Sequence, residues 1–397
     1  MNDVQVYLDH AATAPLRPEA RDAWLDAAAA VGNASSIHGA GQQARRVLEE
    51  ARERLAAVID ADPIEVVFTS GGTEAVNLAV KGLWWARPAD ADAVVLPDGE
   101  HHATLDAVEW LEAQGARVRH VGIDATARIS LAEFSAALPG AAVATAVVAN
   151  NEGGTINDAA ALSAAAAHAG VPLHLDAVAA FGHVPVSFRG WRGDAQGRAG
   201  LAALSVSAHK IGGPTGVGAL VVARGAELAP LQHGGGQQRR LRAGTQDVAG
   251  AAAFAVAAEA ARDQREAEAV RLGTLRERLV GGIRQSIPDA ELLGDPVDRI
   301  PGNAHVLFPG ASGETLLFLL DLAGIAVSTG SACQAGVPEP SHVVLAMGRT
   351  DAEARQVLRF TLGRTTVDGD IDAVLAALPG LVERARAASG SRSGPGS

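Results

Sequence analysis

Lys210 is one of only two lysines in the chain and stands in Val206-Ser207-Ala208-His209-Lys210-Ile211-Gly212-Gly213-Pro214, directly after a β-rich run. Among small neighbours an amine can be desolvated, which lowers its pKa and frees its lone pair for Schiff-base chemistry. The plain alternative is a surface loop charge. Lys81 follows the helical run Asn77-Leu78-Ala79-Val80 and reads as a helix charge instead. Asp176 closes Pro172-Leu173-His174-Leu175-Asp176, where a carboxylate could ion-pair with a pyridinium nitrogen or simply cap a helix. In Phe68-Thr69-Ser70-Gly71-Gly72-Thr73-Glu74 a strand, a glycine turn and a helix start follow one another. Backbone N–H groups and the Thr73 hydroxyl there could cradle a phosphate, or form an ordinary N-cap. It is no Walker loop, since no Gly-Lys-Ser/Thr follows, and no G-x-G-x-x-G sits between a strand and a helix. Glu100-His101-His102 makes a poor metal pair, because adjacent strand residues face opposite sides. One stacking or proton-transferring imidazole fits better, with a core or surface histidine as the alternative. Cys333, the sole cysteine, lies in Ser328-Thr329-Gly330-Ser331-Ala332-Cys333-Gln334-Ala335-Gly336. Its small and polar neighbours favour an accessible loop and a nucleophilic thiolate over a buried structural thiol.

The elements that must position these groups are short β-rich runs alternating with Ala-rich helical segments. Runs at 65–69, 93–96, 142–149, 172–175, 204–207 and 218–223 predict an α/β fold with a mainly parallel sheet covered on both faces. Such sheets carry their sites in the loops that leave the strand C-termini. Those loops hold Ser70 to Thr73, Glu100 to His102, Asn150-Asn151-Glu152, Asp176 and His209-Lys210. A charged helical stretch from Ala255 to Ile287 predicts a connector into a smaller unit that carries Cys333 and Arg359. The expected division is a large domain over 14–256, a small domain from 1–13 and 257–387, and a Gly/Ser/Pro-rich disordered tail over 388–397.

The 397 residues carry 33 Lys+Arg against 45 Asp+Glu, a formal charge of −12. That argues against nucleic acid or an anionic membrane as a partner. One cysteine rules out an internal disulfide framework and any metal or iron–sulfur site built from several thiolates of one chain. The expectation is a soluble protein of a reducing cytoplasm, with no metal. The N-terminus lacks the basic and apolar regions of a signal peptide. The longest apolar stretch, around 136–149, contains Pro139 and Gly140 and falls short of the roughly 20 residues that a membrane helix needs.

Taken together, these motifs resemble the aminotransferase class V family of pyridoxal-phosphate enzymes, and within it the cysteine desulfurases of the NifS/IscS type. The likeness runs from Tyr7-Leu8-Asp9-His10-Ala11-Ala12-Thr13 through Gly32-Asn33-Ala34-Ser35-Ser36-Ile37-His38 and His233-Gly234-Gly235-Gly236-Gln237-Gln238 to Leu358-Arg359-Phe360-Thr361-Leu362-Gly363-Arg364. It implies a fold-type I pyridoxal-phosphate transferase: a large domain with a mainly parallel sheet and a smaller α+β domain. Lys210 would bind pyridoxal 5′-phosphate covalently, Asp176 would pair with its ring nitrogen, and His101 would stack on the ring. Gly72, Thr73, Ser207 and His209 would hold the phosphate, with Asn151 near the phenolic oxygen or the substrate carboxylate. Arg242-Ala243-Gly244-Thr245 resembles a segment that crosses a dimer interface, which implies a homodimer in which Thr245 completes the partner's phosphate site. Arg359, with Asn33 as the second candidate, would clamp the carboxylate of L-cysteine. Cys333 would take the sulfur as a persulfide and pass it to an acceptor protein, for iron–sulfur clusters, tRNA thiolation or a thio-metabolite. Two departures stand out: Ala179 replaces a usual glutamine, which predicts a shifted ionisation of the cofactor–lysine link, and Gly153 adds backbone freedom beside Asn151. A selenocysteine lyase or other β-lyase of the same fold, a catalytically weak scaffold and a sulfur relay are the competing readings.

Overall fold

A computed structural model describes residues 6–330 and 339–390. Seven strands form the main sheet, in the order Val66–Thr69, Gly218–Val222, Gly200–Ser207, Pro172–Asp176, Ala141–Val147, Ala93–Pro97 and Arg117–Val121. Only Gly218–Val222 runs antiparallel to its neighbours. The inner strands are near-continuous Val, Ala and Leu rather than alternating, because helices cover both faces. The edge strand Arg117–Val121 escapes a hydrophobic pattern search: Arg117, Arg119 and His120 break its apolar run, as an edge open to water permits.

A second, antiparallel sheet has the order Val357–Thr361, Asn303–Leu307, Glu291–Leu293, and Val6–Tyr7 pairs in parallel with Ile325–Ala326. Its core gathers Leu8, Leu279, Phe308, Leu316 and Phe360. The helix Val248–Ser286 joins both cores across 39 residues. Phe254 and Ala258 pack beneath the large sheet, whereas Leu272, Leu279 and Ile283 pack in the second core. It starts seven residues ahead of the expected Ala255, because Asp247 caps it by accepting a hydrogen bond from the Gly250 N–H at 2.8 Å. The last helix, Asp368–Gly390, runs through residues 388–390, which the composition had assigned to a disordered tail; the three simply extend its final turn. Cys333 lies outside the described residues. Among the described residues no helix is long and apolar enough to cross a membrane.

Candidate active site

At the C-terminal ends of the parallel strands a cavity of about 280 Å³ is lined by Gly72, Thr73, His101, Asn151, Asp176, His209 and Lys210, with Ala179, Asn303 and Thr361 beside them. Loops that are far apart in sequence thus meet at one edge of the sheet. Lys210 sits in a single helical turn, His209–Ile211, just past the strand Gly200–Ser207. Its ammonium donates to the carbonyls of Ala11 and, at 3.1 Å, Ala12. Burial, helped by the charge of Arg359 and opposed by Asp9 and Asp176, pulls its pKa down to about 8. The amine is therefore partly neutral near pH 7 and able to add to a carbonyl. Lys81 lies within the helix Gly72–Trp85 and rests over the Trp110 ring at 4.6 Å, outside this cavity.

Asp176 is buried at the end of its strand. Its Oδ1 accepts from the Val178 N–H and the Ser205 hydroxyl, both at 2.9 Å, and its Oδ2 accepts from none of the described residues. Glu100 is fully buried nearby; the Val147 N–H donates to Oε1 at 2.7 Å, and Oε2 has no partner. Burial, with the Asp176 charge adding to it, pushes the Glu100 pKa up to about 8. The folded protein keeps a proton on Glu100 that the unfolded chain has released, so stability falls as pH rises from about 5 to about 8, by up to about 1.4 kcal/mol per pH unit. Glu100→Gln keeps a neutral polar group in place, and its Tm should decline less steeply over that window; parallel Tm–pH curves for variant and wild type would contradict the assignment.

The two adjacent histidines are not on a strand. His101 is the N-cap of the helix His102–Glu112, and its Nδ1 accepts from the Ala103 N–H at 3.0 Å. The sequence pattern missed this because a cap there is an imidazole rather than a hydroxyl or carboxylate. Capping fixes the tautomer: a neutral ring must carry its proton on Nε2. Burial lowers the His101 pKa, partly offset by Asp176. His102 turns away to meet the His342 ring edge-on, with centroids 4.9 Å apart.

The phosphate-cradle candidates fit an anion. Gly71 adopts φ +151°, and the backbone N–H groups of Gly72 and Thr73 open the helix Gly72–Trp85. A Cβ on Gly72 would come within 2.8 Å of Val178 Cγ2, so close packing demands glycine there. The Ser207 hydroxyl is buried without a partner close by, and burial holds His209 neutral, with a pKa of about 4. An orphan donor beside a helix N-terminus is a site short of its acceptor.

Other candidates stand outside the cavity wall. Arg359, buried on Val357–Thr361, donates to the Asn151 carbonyl at 2.8 Å and to Asp9 Oδ1 at 3.1 Å, and its Nε is unpartnered. Asn33 is exposed, with its Oδ1 accepting from the Ser35 N–H at 2.9 Å, and Thr245 is exposed as well. Sequence reasoning quoted Glu100 and His174 within their motifs but gave neither a role, and it overlooked Thr145 and Ser205 behind Asp176; for the strand residues the available signal was polar side chains inside otherwise apolar central strands.

Known proteins resemble the chain over nearly its whole length. The family profile described as aminotransferase class-V matches residues 6–374. An "IscS-like cysteine desulfurase" of Mycobacterium tuberculosis is 49% identical over 393 residues, covering 96% of this chain and 98% of that protein. Among solved structures, a "NifS-like protein" superposes with a TM-score of 0.88 at 29% identity, covering 96% of this chain and 99% of that one. A structure titled "SspA in complex with cysteine" gives a TM-score of 0.78 at 28% identity, covering 91% of this chain and all of that one.

Proposed function

The chain belongs to the aminotransferase class-V family, and from that premise we propose that its cavity binds pyridoxal 5′-phosphate and removes sulfur from L-cysteine. It is an enzyme, a cysteine desulfurase. What supports the cofactor is one juxtaposition: a partly neutral lysine amine, a buried carboxylate with a free oxygen and the helix start at Gly72 and Thr73 share one cavity, and the orphan Ser207 hydroxyl lies behind that helix start.

Lys210 would hold the cofactor, Asp176 would face its ring nitrogen, and His101 would stack on it. Gly72, Thr73, Ser207 and His209 would take the phosphate, Asn151 the phenolic side or the substrate carboxylate, and Thr245 would complete the phosphate site of a second copy in a homodimer. When bound, pyridoxal 5′-phosphate supplies an aldehyde that joins an amine and a ring that takes up the electron pair released at the substrate Cα. Lys210 Nζ, with its pKa near 8, takes that Cα proton and returns it. His101 offers its Nε2–H to the same space. The Cys333 thiolate attacks the substrate Sγ: the Cβ–Sγ bond breaks, an S–S bond forms, and the carbon side gains a proton to become alanine. One cysteine and one enzyme thiol give one alanine and one persulfide, with no outside oxidant or reductant. The persulfide sulfur then passes to an acceptor protein in the cytoplasm.

Purified protein supplied with pyridoxal 5′-phosphate should convert L-cysteine to L-alanine and gain one persulfide sulfur per chain in a single turnover. Absence of alanine, or selenocysteine turnover that survives Cys333→Ala while cysteine is untouched, would overturn this reading. For Arg359, Arg359→Lys should raise KM for cysteine about 10- to 100-fold, since an ammonium cannot reproduce the forked donor pair, while kcat changes less; steady-state kinetics read both.

A further inference from the structure

Behind Asp176 the sheet carries a row of polar side chains where apolar ones would be expected. His174 and Asp176 are two residues apart on one strand and so share a face. Thr145 pairs with His174 on one neighbouring strand, and Ser205 pairs with Asp176 on the other. Thr145, His174 and Ser205 have no solvent exposure. Their contacts are continuous: Thr145 Oγ1 to His174 Nδ1 at 2.9 Å, His174 Nε2 to Ser205 Oγ at 3.1 Å, and Ser205 Oγ to Asp176 Oδ1 at 2.9 Å.

Chemistry gives this row a direction. A carboxylate only accepts, so the Ser205 proton points to Asp176. The Ser205 oxygen must then accept from His174 Nε2–H. Burial keeps His174 neutral, at a pKa of about 4, so the ring has a single N–H. Its Nδ1 therefore accepts, and the Thr145 hydroxyl donates. Every donor points one way, toward the carboxylate, and aligned hydrogen bonds polarise one another in a low-dielectric interior.

We propose that Thr145, His174 and Ser205 form a buried donor chain that anchors the Asp176 carboxylate through Oδ1, with Oδ2 left for the cavity, and thereby sets how strongly the site retains a protonated ring nitrogen. The proposal rests on the reading that Asp176 faces the cofactor's pyridine nitrogen. Glu100, a fully buried carboxyl that feels the Asp176 charge, stays protonated, and Lys210, which lines the same cavity as Asp176, carries the opposing charge. The three chain members are positioning residues; none of them lines the cavity.

The test uses pyridoxal 5′-phosphate labelled with ¹⁵N in the ring, bound to wild type and to Ser205→Ala, His174→Phe, His174→Gln and Asp176→Asn. Ser205→Ala and His174→Phe should lower cofactor affinity of the apo protein about tenfold and move the ring ¹⁵N signal toward the unprotonated position. His174→Gln, which keeps one donor and one acceptor on a planar group, should recover most of both. If His174→Phe fails to fold, Ser205→Ala carries the comparison alone, since it removes a single oxygen. Wild-type affinity and ¹⁵N shift in Ser205→Ala, alongside a shifted signal in Asp176→Asn, would overturn the donor chain only. An unshifted signal in Asp176→Asn would overturn the underlying reading, and the donor chain with it.

Discussion

Lys210→Ala loses the cofactor's lysine-linked absorbance band and lowers cysteine turnover by about 10³- to 10⁴-fold, the scale expected when a positioned proton-transfer group is removed. In the proposed mechanism the amine has two tasks in one place, to hold the cofactor and to carry the Cα proton, and the chain's other lysine does not line the cavity. Lys81, the only alternative in the chain, is occupied over the Trp110 ring. Lys210→Arg should fail almost as badly, because a guanidinium stays charged where the lysine amine, at a pKa of about 8, does not. The same value dictates how wild-type apo protein takes up the cofactor. The uptake rate should climb about tenfold per pH unit below 8 and level off above it, rather than climbing toward 10.5. Stopped-flow absorbance measures this; a rate still rising steeply at pH 9.5 would show that the amine is not desolvated.

Cys333→Ser keeps the cofactor band and abolishes persulfide formation, with turnover falling by about 10³-fold or more, since a serine hydroxyl at neutral pH is a far weaker nucleophile than a thiolate. The chain holds one cysteine, so any persulfide found by mass spectrometry is on Cys333. The two variants separate binding from sulfur transfer: the first removes the chromophore, and the second retains it. A Cys333→Ser protein that still released alanine at the wild-type rate would place the sulfur-accepting step elsewhere. The segment around Cys333 springs from described stems. Ser328 exchanges backbone hydrogen bonds with Arg359, a Cβ on Gly330 would lie 3.0 Å from Glu152 Oε2, and the Ser341 hydroxyl donates to that same oxygen at 2.5 Å. Both ends therefore depart from residues that border the proposed substrate carboxylate site.

The strands and loops that build the cavity were legible because apolar β-runs alternate with Ala-rich helical segments, and because the loops between them hold Ser70 to Thr73, Asn151, Asp176 and Lys210. Backbone roles were harder to read. The capping function of His101 depends on where its helix begins, and a histidine is seldom chosen for that task. Glu100 stands out in the sequence only as the neighbour of His101 and His102; three-dimensional burial is what makes it a neutral acid. Asn33 and Thr245 are exposed and away from the cavity in the single chain, so their proposed roles rest on likeness to relatives and on a second copy.

The helix Val248–Ser286 spans about 58 Å at 1.5 Å per residue and contains no proline. Because its first half is embedded in one core and its second half in the other, the two are joined by an elastic rod rather than a swivel. Long helices yield by gentle curvature, with sharp kinks reserved for proline, Gly/Ser pairs, inserted groups or bulges. The one such pair here, Gly281-Gly282, lies among the second-core residues Leu279, Val280 and Ile283 rather than between the cores. Displacement of the strand that carries Arg359 relative to the loop that carries Lys210 is thus a matter of flexure: small in amplitude, self-restoring, and shared along the whole rod instead of concentrated at one joint.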